Sequence, residues 1–175
     1  MKMITATALA ISLLASGYSV AEAPQLHVRK TIVIDAPAAK VWQTAKDFNG
    51  LNTWHPAIAK DEIVEGRNNT VGAVRLLTLK DGGTIKEKLL SFNDAGRTFR
   101  YAIVEGVMPV SGYTSKFTVT SIGANKTSVT WSGSFKRKNV GDNPADNEND
   151  QTAIDTIGAV YKAGLDNLKK IVEAN

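Results

Sequence analysis

Between residues 58 and 136 the chain runs through six strand-like stretches whose connections are too short to hold anything but a turn. The stretches are 58–65, 71–79, 84–92, 98–104, 113–121 and 127–136. Gly66-Arg67-Asn68-Asn69, Asp81-Gly82-Gly83, Asn93-Asp94-Ala95-Gly96 and Gly123-Ala124-Asn125 carry the turn chemistry. A parallel pair needs a crossover of a dozen or more residues, so these neighbours must be antiparallel.

Two segments flank this meander. Upstream, residues 25–35 alternate, with Leu26, Val28, Thr31, Val33 and branched neighbours reading as a first strand. Asp35-Ala36-Pro37 then predicts a helix start with a capping carboxylate. Ala38, Val41, Trp42 and Ala45 recur at helical spacing, predicting about three turns to Asp47. A second short helix is expected from Leu51 to His55, stopped by Pro56. Downstream, residues 139–150 are polar and read as a loop. Ala153, Ile157, Val160, Tyr161, Gly164, Leu165, Leu168 and Ile171 then form one apolar stripe on a long helix. Seven antiparallel strands with one apolar face need a cover, and that helix is the only large one at hand. The expected fold class is α+β: a helix-grip domain, its curved seven-stranded sheet wrapped around the C-terminal helix, with two short helices after strand one.

The N-terminus reads as an export signal. Lys2 supplies a positive start, residues 4–15 are apolar, and Ser19-Val20-Ala21 and Ala21-Glu22-Ala23 offer cleavage sites, the second disfavoured by Pro24 directly after it. Cleavage after Ala21 gives a signal peptide of residues 1–21, one mature domain of residues 22–175, and a periplasmic location. The apolar run is too short to span a bilayer, and no later segment reaches even that length, so no membrane span is expected after cleavage. Losing Lys2 trims a formal charge of only +4, too modest and dispersed to argue for nucleic acid.

Ile32-Val33-Ile34-Asp35-Ala36-Pro37, Val41-Trp42, Asp47-Phe48, Leu51, Trp54-His55-Pro56, Val71-Gly72-Ala73-Val74-Arg75, Asp81-Gly82-Gly83, Glu87-Lys88-Leu89 and Tyr101 resemble the START-like (SRPBCC) superfamily. That group contains polyketide cyclases, plant pathogenesis-related proteins and lipid-transfer domains, and the resemblance implies the fold more than an activity. The export signal resembles that of its periplasmic MxaD-like branch. So do Met108-Pro109-Val110-Ser111-Gly112-Tyr113, Trp131-Ser132-Gly133-Ser134-Phe135 and the run from Val160 to Leu168. This narrower resemblance implies an accessory role beside methanol dehydrogenase and its cytochrome.

Strand parity sorts the side chains. Val129, Trp131, Gly133 and Phe135 share one face, as do Tyr113, Ser115, Phe117 and Val119, and Phe99, Tyr101 and Ile103. Ile85, Glu87, Leu89 and Ser91 form another set, and Ala73, Arg75, Leu77 and Leu79 a further one. All of these are expected to face the helix. The result would be an apolar cavity lined by Phe99, Tyr101, Tyr113, Phe117 and Trp131, with Tyr161 and Leu165 from the helix. Arg75 and Glu87 should meet across the 81–83 hairpin, because an unpaired charge inside would cost several kcal/mol. They serve either as a polar handle for a ligand or as a self-contained structural pair.

Catalytic signatures are sparse. Cysteine is absent, and the two histidines, His27 and His55, lie on separate elements. That leaves no thiol chemistry and no clustered zinc ligands, and no nucleophile-elbow or phosphate-loop motif occurs. The acids of residues 142–150 lack calcium-loop spacing, so no metal and no cofactor is expected. His55, between Trp54 and Pro56, reads as a helix-end packing residue. The reading favoured is a non-enzymatic binder of a small hydrophobic ligand, or an accessory protein. The alternative is a cyclase-like enzyme placing a polyketide-like or aromatic substrate with Arg75, Glu87 and tyrosines. The opposite parity sends Lys86, Lys88, Arg100, Lys116 and Lys136 to the outer face, a stripe suited to an acidic periplasmic protein such as a dehydrogenase or cytochrome.

Overall fold

Every short connection closes an antiparallel hairpin. The computed structural model describes residues 23–141 and 143–174, so the expected signal peptide lies outside the described residues. The elements are β1 (Leu26–Ile34), α1 (Ala38–Ala45), a 3-10 turn (Leu51–Thr53), β2 (Ile58–Glu65), β3 (Val74–Leu79), β4 (Thr84–Asn93), β5 (Thr98–Gly106), β6 (Val110–Gly123), β7 (Lys126–Arg137), a second 3-10 turn (Asp146–Glu148) and α2 (Asp150–Ala174). They build one seven-stranded sheet in the order β1-β7-β6-β5-β4-β3-β2. The meander occupies six places, and β1 adds itself beside β7. The chain therefore crosses from one sheet edge to the other between β1 and β2, and α1 with the first 3-10 turn makes that crossing.

Bulges supply the bend. The ladder slips between Leu89 and Ser91 on β4 and between Ser111 and Thr114 on β6, where Gly112 has a φ of 57°. An extra residue on one strand bends it and increases its twist. The slip at Leu90 also corrects one expectation: Ser91 is carried to the outer face opposite Arg100, not inward behind Glu87 and Leu89. The other inward sets follow the alternation, with Ile85, Glu87, Leu89, Phe99, Tyr101, Tyr113, Phe117, Val129, Trp131 and Phe135 all buried. On β1, Leu26, Val28 and Ile34 are buried. Thr31 and Val33 point outward, and the Thr31 hydroxyl lies 3.0 Å from that of Thr130.

The helical elements also depart in detail from expectation. The cap position of α1 falls on Pro37, so Asp35 does not cap it, and the Asp35 N–H instead donates to Glu173 at 2.7 Å. The helix stops after two turns because Asp47 Oδ1 takes the N–H of Asn49 and the amide of Asn68, offering the backbone a turn instead. The second short helix is a single 3-10 turn. Asn149 caps α2, its Oδ1 accepting the Thr152 N–H, and Arg137 fastens the preceding loop through Asp150, Asn139 O and Gly141 O. Ala153, Ile157, Tyr161, Gly164, Leu165 and Leu168 of α2 are buried as expected, but Val172 replaces Ile171 at the end of the stripe. Among the described residues no helix is long and apolar enough to cross a membrane.

Candidate functional site

Between α2 and the strands β3 to β7 lies a cavity of about 240 Å³. Its walls are apolar: Ile58, Leu77, Leu79, Ile85 and Ile103 from the sheet, Leu51 from the first 3-10 turn, Met108 from the β5–β6 connection, and Ile157 and Val160 from α2. Tyr101, Tyr113, Trp131, His55 and Glu87 supply its polar groups, with Asp81 at an exposed turn. A larger hollow of about 390 Å³ sits on the outer face of the sheet and is open.

Glu87 is placed by its ladder position. It stands opposite Arg75 on β3, and both Arg75 Nε and Nη2 donate to its Oε2, at 2.8 and 2.6 Å. The pairing is as the hairpin predicts, but the group is a triad. Asp61 on β2 lies 3.4 Å from Arg75 Nη1, which also donates to the Phe48 carbonyl at 2.7 Å. The guanidinium carbon sits 4.2 Å from the Phe48 ring centre. Burial opposes the charge on Arg75, and the two carboxylates outweigh it, so the guanidinium stays protonated. Burial raises both carboxyls above their ordinary values, and Arg75 pulls each back only in part. One cation thus serves two acids. Asp61 Oδ1 is buried with no hydrogen-bond partner among the described residues.

The tyrosines form a chain. Tyr113 and Tyr161 hydroxyls are 2.5 Å apart, Tyr161 and Ser115 2.9 Å, and Trp131 Nε1 donates to both Tyr101 and Ser115 at 3.0 Å. Burial first of all raises all three tyrosines, so each keeps its proton at neutral pH. His55 is neutral, pushed down chiefly by burial, with Nε2–H on the Val160 carbonyl at 3.0 Å and Nδ1 accepting the Ala57 N–H at 3.2 Å. Gly164 makes room for it: a Cβ there would stand 2.5 Å from His55 Cδ2 and 2.9 Å from the Trp131 ring.

The structure redistributes the expected lining. Tyr101, Tyr113, Trp131 and Glu87 face the cavity, but Phe99 and Phe117 do not. They stack on each other at 5.4 Å, and α1, Phe48 and Trp54 fill the space in front of them. Arg75 stands behind Glu87, outside the cavity wall, and Tyr161 and Leu165 are packed solid in the helix interface. Sequence reasoning missed His55 as a wall and Asp61 as a partner. The signal for Asp61 was weak, since β2 is an irregular edge strand without clean alternation.

The outer face also differs. Lys86 is held by Glu105 at 3.0 Å, and Lys136 lies farther along β7, opposite Ser111. Arg100 and Lys116 pair across β5 and β6. Lys116 then stands beside Ser132, and Ser132 beside Arg29 on β1. Arg29 thus joins them in one transverse row bordering the open hollow, with Lys88 two positions off it on β4. Among the described residues no group of three or more His, Cys, Asp or Glu is arranged to hold a metal ion.

Residues 25–173 match the family model described as polyketide cyclase / dehydrase and lipid transport. The protein XoxI from Bacillus cereus is 33% identical with a TM-score of 0.73, over 83% of this chain and 94% of that one. A putative uncharacterized protein from Bacillus thuringiensis is 32% identical with a TM-score of 0.74, over 84% and 98%. The Zhui aromatase/cyclase from a Streptomyces species shares the fold at 21% identity and a TM-score of 0.67, over 86% and 94%. The comparison with curated proteins gave no match.

Proposed function

We propose a binding role for this chain, which belongs to the polyketide cyclase / dehydrase and lipid transport family: it holds a small, mainly apolar molecule between α2 and the sheet. The observation that carries this reading is the cavity of about 240 Å³, walled by aliphatic side chains with a few polar groups among them. Binding is favoured over catalysis because most of those polar groups are committed. The tyrosines are held protonated, both His55 nitrogens are engaged, and one of the two Glu87 oxygens is tied to Arg75. A general base needs a free lone pair within reach of substrate, and a single Glu87 oxygen, with no free acid or nucleophile beside it among the described residues, is a sparse set for catalysis.

Within that role we propose an exported accessory protein. The charged start, apolar run and Ser19-Val20-Ala21 support export, together with the resemblance to the MxaD-like branch. The row of Arg29, Lys116 and Arg100 suits a weak, fast, salt-sensitive contact with an acidic periplasmic partner, an alcohol (methanol) dehydrogenase or its cytochrome. One experiment addresses the whole reading: recovery of the protein from its own periplasm for native mass spectrometry and pull-down. The expected result is a chain beginning at Glu22 that carries a small bound species. It should also capture an acidic protein, an association lost in high salt and in an Arg29→Glu/Arg100→Glu/Lys116→Glu variant. A mass that retains residues 1–15 would overturn export, and a protein without adduct would count against the cavity. Capture indifferent to salt and to the triple reversal would exclude this face.

A further inference from the structure

The direction of the hydrogen bonds around the cavity says what chemistry its polar groups lack. Two groups fix the sense of the hydroxyl chain at the outset: Trp131 Nε1–H can only donate, and Ser115 Oγ donates to the Ser132 carbonyl at 2.9 Å, since a carbonyl can only accept. A serine has one proton, so Tyr161 must donate to Ser115. With that proton spent, Tyr113 donates to Tyr161. The sequence ends at Tyr101. Its oxygen receives Trp131 Nε1–H at 3.0 Å, but among the described residues its own proton finds only the Tyr113 oxygen, 3.4 Å away. Hydroxyl–oxygen bonds usually span about 2.5–3.0 Å, so this donor is poorly served.

Glu87 shows the converse. Oε2 takes both Arg75 bonds, and Oε1 takes no hydrogen bond from the described residues. Its side chain is 7% exposed and lines the same cavity. The cavity therefore presents one underused donor, Tyr101, and one unused acceptor, Glu87, among aliphatic walls.

We propose that the cavity selects an apolar molecule bearing a single hydroxyl, a phenol or an alcohol, which accepts from Tyr101 and donates to Oε1 of Glu87. The inference rests on the binding reading above. A hydrocarbon leaves both groups unserved, and a ketone or ether serves only Tyr101. A carboxylate brings no donor and meets two acids balanced by one cation. The volume sets the scale: it exceeds the roughly 150 Å³ that takes benzene and falls short of the roughly 300 Å³ at which drug-sized sites begin.

Calorimetric titration of the purified protein with naphthalene, 2-naphthol and 2-naphthoate tests it. The expected result is that 2-naphthol binds at least about tenfold tighter than naphthalene, as one well-made buried hydrogen bond implies, and that 2-naphthoate does not bind. Tyr101→Phe should bring 2-naphthol down to the affinity of naphthalene. Glu87→Gln, which keeps the shape of the side chain, should let 2-naphthoate in. Equal affinities for naphthalene and 2-naphthol, or a preference that survives Tyr101→Phe, would overturn the hydroxyl inference and leave the binding reading standing. Failure of all three probes to bind would overturn both.

Discussion

Replacing Arg75 with methionine is expected to destabilise the protein by about 3–5 kcal/mol at pH 7, and by much less near pH 4. The substitution removes the one cation that Glu87 and Asp61 share and leaves two buried carboxyls without it. In the folded protein both already hold their protons to a higher pH than ordinary carboxyls, mainly through burial, and Arg75 is what limits that rise. A carboxyl whose folded pKa is raised binds more protons folded than unfolded. The stability it lends is complete below the ordinary carboxylate range and is lost as pH rises through the raised value. Without Arg75 both rise further, so the deficit against the parent opens only as the pH climbs past about 4. Adding Glu87→Met to Arg75→Met should recover part of the loss at pH 7, because one stranded acid is better than two. Denaturant melts of the three proteins at the two pH values check this. A penalty below about 1 kcal/mol at pH 7, or one of the same size at both, would mean that the triad is not buried as described.

Gly133→Ala is expected to cost about 1–3 kcal/mol, a large effect for one methyl group. Gly133 is an inward position on β7, and a Cβ there would overlap the Tyr161 hydroxyl, with the Tyr113 ring only 3.4 Å away. Tyr161 could escape only by leaving Ser115 and Tyr113, which would break the hydroxyl chain at its middle. The double substitution Gly133→Ala/Tyr161→Phe removes the atom in the way. It should therefore be more stable than the sum of the two single effects predicts, by at least about 0.5 kcal/mol. Strict additivity in thermal or urea melts would show that the strand and helix approach less closely there.

The legible part of this fold was whatever two-residue alternation and short turns could carry. Trp131, Tyr101, Tyr113 and Glu87 were placed inward by parity, and the same rule put Arg75 opposite Glu87. Parity does not say which inward residues meet empty space. Phe99 and Phe117 lie under Trp42, Phe48 and Trp54, and that depends on how the segment from α1 to β2 crosses the sheet. Helical spacing predicts Tyr161 as a wall of the cavity, yet glycine at position 133 lets it sink into the sheet, and a glycine carries no such message on a sequence pattern. Arg29 was missed for a related reason. Its partnership with Lys116 and Arg100 runs through the β1–β7 pairing, between strands about a hundred residues apart in the chain.

The central claim is that a small apolar molecule enters the space beneath α2. Methyl-resolved NMR of the protein with naphthalene locates the ligand directly. The account predicts intermolecular contacts to the methyl groups of Leu77, Met108 and Ile157, which line the cavity from β3, from the β5–β6 connection and from α2. Contacts confined to exposed methyls such as those of Val104 and Val140, or no contacts at all while the protein remains folded, would contradict it.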